Sequence, residues 1–210
     1  KQARVSAILH DSSGVLWVAT TLGIERLSES NIVNHPLVFN ISSNTNEIAL
    51  FEDEIIIGSF GQGLKKFNNK SSFINNESNQ PFSKEALRIT DIITIDDSLY
   101  IATFDGLWRF FPHENLLERL PLPTTSNLLL KLRYHDGILY IGSDFEGLIL
   151  YDIERKVIIE QIKNNLSSTE VTDIMPLDDG NVWLTTANGV HIYNRFSKSL
   201  KNVDISLKNK

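Results

Sequence analysis

The feature that most constrains this chain is a phrase of about a dozen residues that returns five times. It reads LWVATTLGIERL from Leu16, IIIGSFGQGLKKF from Ile55, LYIATFDGLWRF from Leu99, LYIGSDFEGLILY from Leu139 and VWLTTANGVHIY from Val182. Its bulky anchor falls at Trp17, Ile56, Tyr100, Tyr140 and Trp183, in steps of 39, 44, 40 and 43 residues. Such a period means one supersecondary unit stacked on its neighbours, because a single unit cannot bury its own apolar face. Five units account for the whole 210 residues.

Helical repeats share this period, so local chemistry decides. Each unit opens with a short β-branched run: VSAIL, EIALF, ITDIITI, NLLLKL or VTDIMPL. An Asp/Gly-rich turn follows, then the repeated strand, then a turn closing at Gly23, Gly63, Gly106, Gly147 or Gly189. A third strand and a more polar fourth complete the unit, and no 3.6-residue period is sustained. Four antiparallel strands in about 40 residues are one blade of a β-propeller. The expected fold is therefore all-β, a propeller of five four-stranded antiparallel blades at about 1–40, 41–83, 84–123, 124–166 and 167–210. The first strand suits a crowded axis and the polar fourth a rim. Both termini fall in the same phase, with no strand exchanged to lock the ring. That absence and the start at KQARVSAIL, without Met or signal peptide, lead us to expect part of a larger ring of about seven blades.

The phrase is then a packing instruction. The anchors fill the space between sheets. Ala19, Gly58, Ala102 and Gly142 allow close approach. Thr20, Ser59, Thr103, Ser143 and Thr186 are placed to bond backbone where the ladder ends. Truncating Trp17 or Trp183 to Ala is expected to cost roughly 3–5 kcal/mol.

Composition narrows function. A net charge of −6 argues against a nucleic-acid partner, which needs a basic stripe. The lysines near the C-terminus (Lys198, Lys201, Lys208, Lys210) read as a solvated edge. The absence of cysteine removes thiol chemistry, zinc ribbons and disulfides, and no apolar run reaches the ~18–20 residues of a membrane helix.

The patterns D-x-x-G-x-L-W-V-A-T-x-x-G-I at Asp11–Ile24 and D-D-G-N-V-W-L-T-T-A-N-G-V at Asp178–Val190 resemble the two-component regulator propeller repeat. The second unit departs most, with Ile56 for the aromatic anchor and an extra residue before Gly63. The fourth carries a similar insertion, SDFEG. The resemblance implies an extracytoplasmic sensor propeller of a bacterial hybrid histidine kinase or diguanylate cyclase. By that resemblance it would be periplasmic, in a membrane-anchored parent with downstream signalling domains and a possible homodimeric state.

Catalytic signatures are missing. His10, His35, His113, His135 and His191 show no metal-ligand spacing, and no serine has a nucleophile-elbow context. No metal, cofactor or catalytic residue is expected. Asp178–Asn181 lacks the ligand pattern of a calcium loop and reads as a hairpin. Asp91 in ITDI and Asp173 in VTDI sit on first strands. There they either bond neighbouring backbone or offer carboxylates to a cation or sugar. Recognition is expected on the face carrying the second-to-third turns, where the units differ most, at Phe60, Gln62, Phe104, Asp105, Phe145, Glu146 and Asn188. Aromatics beside acids and amides suit an oligosaccharide or peptide; alternatively the phenylalanines fold inward between blades. The leading reading is a non-catalytic sensor propeller, the second a protein–protein scaffold, and the third a propeller lyase or glycosidase.

Overall fold

The computed structural model describes residues 4–28, 31–35, 44–67, 72–73 and 85–204. Lys208, Lys210 and the His35 side chain lie outside what is described. Two compact units emerge, Lys1–Arg119 and Leu120–Lys210.

The first unit holds three sheets. One comprises β1 (Val5–His10), β2 (Leu16–Thr20), β3 (Gly23–Ser28) and β4 (Asn31–His35). The next comprises β5 (Asn44–Phe51), β6 (Glu54–Phe60), β7 (Gly63–Phe67) and β8 (Ser72–Phe73). The third comprises β9 (Ile89–Ile95), β10 (Ser98–Thr103), β11 (Gly106–Phe111) and β12 (Leu116–Arg119). The second unit holds β13 (Leu129–His135), β14 (Ile138–Ser143), β15 (Leu148–Asp152) and β16 (Val157–Ile162) in one sheet. Its other sheet is β17 (Val171–Pro176), β18 (Asn181–Thr186), β19 (Gly189–Asn194) and β20 (Ser199–Val203). Every sheet is antiparallel with strands in sequence order. We call them blades 1 to 5.

Blades pack face to face through the residues the repeat singles out. Ala19 and Ile24 meet Ile48, Ile55 and Ile57 across blades 1 and 2, with Trp17 half-buried against Phe67 at 5.5 Å. Ile56, Leu64 and Phe51 meet Ile89, Ile92 and Ile101 across blades 2 and 3. Tyr140, Leu148 and Leu150 meet Val171, Ile174 and Leu184 across blades 4 and 5. The small residues earn their place. A Cβ on Gly58 would lie 2.7 Å from Ile89 and Ile92, and one on Gly142 2.7 Å from the Val171 carbonyl.

The anchor thus faces the following blade, and this corrects one expectation. Trp183 lies on the far side of blade 5 from Leu184 and Val182, half-buried beside Met175, which is 55% exposed. Its truncation cannot cost what a fully buried aromatic costs.

Sequence reading missed a bulge in every first strand. The ladder skips Ser6, Asn46, Thr90, Leu130 and Thr172. A bulge leaves one residue unpaired and re-aims its side chain. Ser6 Oγ donates to the Thr45 carbonyl at 2.6 Å, and Asn46 Nδ2 to the Ile89 carbonyl at 3.0 Å. Both reach the first strand of the next blade. Thr172 instead bonds Thr185 Oγ1 of its own blade at 2.8 Å.

Candidate functional site

The turns between second and third strands of blades 1, 2, 3 and 5 are built alike. Thr20 Oγ1 donates to the Gly23 carbonyl, Ser59 Oγ to Gly63, Thr103 Oγ1 to Gly106 and Thr186 Oγ1 to Gly189, at 2.9–3.1 Å. The same hydroxyls accept the backbone N–H of Leu22, Gln62, Asp105 and Asn188. A short hydroxyl side chain satisfies the donor and acceptor left over where the ladder ends. Each turn is then tied to a segment entering a first strand. Gly61 N–H donates to Leu87, Phe104 to Arg88, Gly147 to Thr169 and Ala187 to Glu170, all by carbonyl acceptance at 2.8–3.3 Å. Turns and entering segments therefore share a face in each unit, and the side chains between the fixed hydroxyl and glycine are left to vary.

In the first unit that face brings Phe60 and Phe104 together, their rings edge to face at 5.2 Å. Phe60 is 37% exposed, and Phe104 is half-buried. Gln62 follows Phe60 in the same turn. Asp105 is held by Arg119, whose Nη2 lies 3.0 Å from Oδ1. A residue the sequence reading overlooked completes the group. Arg88, at the last position before β9, has its guanidinium carbon 5.7 Å from the Phe60 ring centroid and 5.6 Å from that of Phe104. Its signal was a basic residue directly ahead of ITDI.

In the second unit Phe145 is 55% exposed while its neighbour Glu146 is 4% exposed. The Glu146 carboxylate points into the blade, not outward. It accepts from Thr125 Oγ1, from Ser126 N–H at 3.1 Å, from Gln161 Nε2 at 2.8 Å and from Lys163 Nζ at 3.3 Å. Burial raises its pKa, but the donors, Thr125 foremost, outweigh this and hold it below the usual carboxylate range. Glu146 latches the fourth-strand side of blade 4 to the segment before β13. Asn188 is exposed and donates to the Ser167 carbonyl at 3.4 Å.

The first-strand carboxylates share one local task. Glu47, Asp91 and Asp173 each follow the bulge residue and accept the next backbone N–H, at 3.2, 3.1 and 2.9 Å. Asp91 is 2% exposed, and exposed Asp173 also pairs with Arg133 at 2.8 Å.

Among the histidines, His135 lies 3.3 Å from Asp178 and His113 3.5 Å from Glu52. His191 is fully buried, and burial lowers its pKa. Its Nε2 sits 2.8 Å from Ser167 Oγ, which resembles a nucleophile–base pair. Yet Nε2 also accepts the Ser167 backbone N–H at 3.1 Å, and Nδ1 has no hydrogen-bond partner among the described residues. The contact fastens the segment before β17 to β19. Among the described residues no group of three or more metal-ligating side chains converges, and no helix is long and apolar enough to cross a membrane.

No family model matches the sequence. A curated relative, histidine kinase P4 of Formosa agariphila, is 24% identical over 202 residues, covering 84% of this chain and 14% of the relative. The crystal structure of the extracellular domain of a hybrid two-component system from B. thetaiotaomicron superposes with a TM-score of 0.75 at 18% identity, over 96% of this chain and 30% of that one. A catalytically inactive virginiamycin B lyase from Staphylococcus aureus, solved with quinupristin, gives a TM-score of 0.81 at 15% identity, over 99% of this chain and 72% of that one. The chain thus spans about a seventh of the kinase and under a third of the extracellular domain. The fold is a β-propeller, and this chain carries five of its blades. The resemblance of its repeat to two-component regulator propellers is met by relatives that are two-component proteins.

Proposed function

We propose that residues 1–210 form a single propeller region, the ligand-binding, non-catalytic part of an extracytoplasmic sensor in a transmembrane two-component-type protein. The ligand is a small oligosaccharide or peptide. Its binding biases a membrane-anchored dimer whose output domains lie elsewhere in the parent chain, along with the remaining blades of the ring. The observation that carries this reading is the turn face of the first unit. Hydroxyl–glycine clamps fix its backbone while Phe60 and Phe104 present aromatic surface beside a cation, Arg88, with the carboxylate of Asp105 next in the turn. Loops held by a rigid scaffold are where recognition concentrates. The two-component relatives support the sensor assignment.

A thermal-shift screen with oligosaccharides, peptides, amino acids and divalent ions tests it. The expected result is stabilisation by at least one organic ligand, lost in Phe60→Ala and Phe104→Ala, with the ligand recovered intact. Turnover of the ligand, or stabilisation indifferent to both substitutions, refutes it.

A further inference from the structure

Arg88 is held through its backbone. Its N–H donates to the Glu85 carbonyl at 3.0 Å, its carbonyl accepts the Phe104 N–H at 3.3 Å, and its backbone forms an antiparallel bridge with Phe60. The guanidinium lies against both phenylalanine rings. Among the described residues no carboxylate or carbonyl engages it, whereas Arg119 of the same blade is taken up by Asp105. The rings offer the guanidinium no hydrogen-bond acceptor, so its N–H fork is placed to meet an oxyanion with two parallel hydrogen bonds. The side chain is exposed, and the adjoining Gly61 borders open space, with nothing within 4 Å of where a Cβ would stand.

We infer that Arg88 is the anchoring cation of a subsite for an acidic sugar, one bearing a carboxylate or a sulfate. This rests on the ligand-binding reading and specifies its ligand class. A free fork calls for an oxyanion. The exposed flank of Phe60 beside it calls for an apolar C–H face on the same residue of the ligand. A uronic acid or sulfated sugar carries both within one ring; an acidic peptide side chain carries only the first.

Calorimetry on the purified protein tests this with a uronate tetrasaccharide, a sulfated tetrasaccharide, their carboxyl-reduced and desulfated counterparts, and hexaglutamate. At least one acidic glycan should bind about tenfold or more tightly than its neutral counterpart. Arg88→Gln should abolish that difference, Arg88→Lys should restore part of it, and added salt should weaken it. The uronate and sulfate arms identify the oxyanion. Unchanged melting of the variants confirms their folding; if Arg88→Gln melts early, the comparison of acidic with neutral glycan on the unaltered protein decides. Equal binding of acidic and neutral glycans overturns the inference while leaving the ligand-binding reading intact. Binding of hexaglutamate alone overturns it in favour of a peptide. Binding of none of the probes also overturns it, and the wider screen on Phe60 and Phe104 then judges the broader reading alone.

Discussion

Tyr140 and Trp183 occupy the same place in the repeat, yet removing them should have unequal consequences. Tyr140 is 1% exposed, wedged against Val171, Ile174 and Leu184 of the next blade. An aromatic side chain buries about 150–250 Å², worth roughly 4–6 kcal/mol at about 25 cal/mol per Å². Measured aromatic truncations in cores fall at about 3–5 kcal/mol. Trp183 is half-buried beside Met175, which is exposed. Its loss should cost about 1 kcal/mol, which is typical of a partly exposed position. Both belong to the unit Leu120–Lys210, so one unfolding transition reads both. By urea denaturation followed by far-UV circular dichroism, Tyr140→Ala should lose several-fold more stability than Trp183→Ala. In melting temperature the losses are of order 20 °C against about 5 °C. Tyr140→Phe keeps the ring and should fall between wild type and Tyr140→Ala. Equal losses for the two Ala variants would refute the claim that an anchor's worth comes from the blade that follows it.

Two further outcomes follow from single residues. Lys65 on β7 is 3% exposed, and burial pushes its ammonium down to about 8 from an ordinary 10.5. Between those values the unfolded chain holds a proton that the folded chain does not, so native stability rises with pH across the window. Lys65→Met should be more stable than wild type at pH 7, by of order 2 kcal/mol, and its advantage should shrink as pH climbs from 8 towards 10.5. A difference that stays flat with pH would contradict this. Gly147 has φ +73°, and a Cβ there would lie 2.2 Å from the Ile162 carbonyl oxygen. Gly147→Ala should destabilise the second unit by roughly 2 kcal/mol or more, seen as a lower urea midpoint; a neutral substitution would show that the turn relaxes freely.

What was legible in the sequence was whatever the repeat states five times. Most of the anchors, the small residues beside them, the turn hydroxyls and the closing glycines do one job, visible from spacing and residue type, with Trp183 and Ser143 the departures. What stayed hidden depends on a partner elsewhere in the chain. The bulges at Ser6 and Asn46 make sense only once the next blade's carbonyls are placed. The carboxylates of Asp91 and Asp173 drew notice as chemistry, but each accepts the backbone N–H directly after its bulge. Arg88 was unremarkable in EALRITDI because its meaning comes from two phenylalanines 28 residues before it and 16 after it.

Blade 4 shows how such a repeat leaves room for function. In blades 1, 2, 3 and 5 the turn hydroxyl reaches the closing glycine's carbonyl. In the SDFEG turn Ser143 Oγ donates instead to Leu128 at 3.0 Å, while the Gly147 carbonyl accepts the Ser143 N–H at 3.0 Å. The clamp is remade from other atoms, and the inserted pair splits, with Glu146 turned in to accept from Thr125, Ser126, Gln161 and Lys163 and Phe145 turned out to solvent. A carboxylate on this turn is therefore no guide to a ligand contact, because its burial is decided by the donors beneath it. The aromatic is the better guide, since nothing in the blade requires it to be exposed. That asymmetry directs attention to Phe60, Phe104 and Phe145 rather than to the acids beside them, and to Arg88 as a charge left without a counterpart among the described residues.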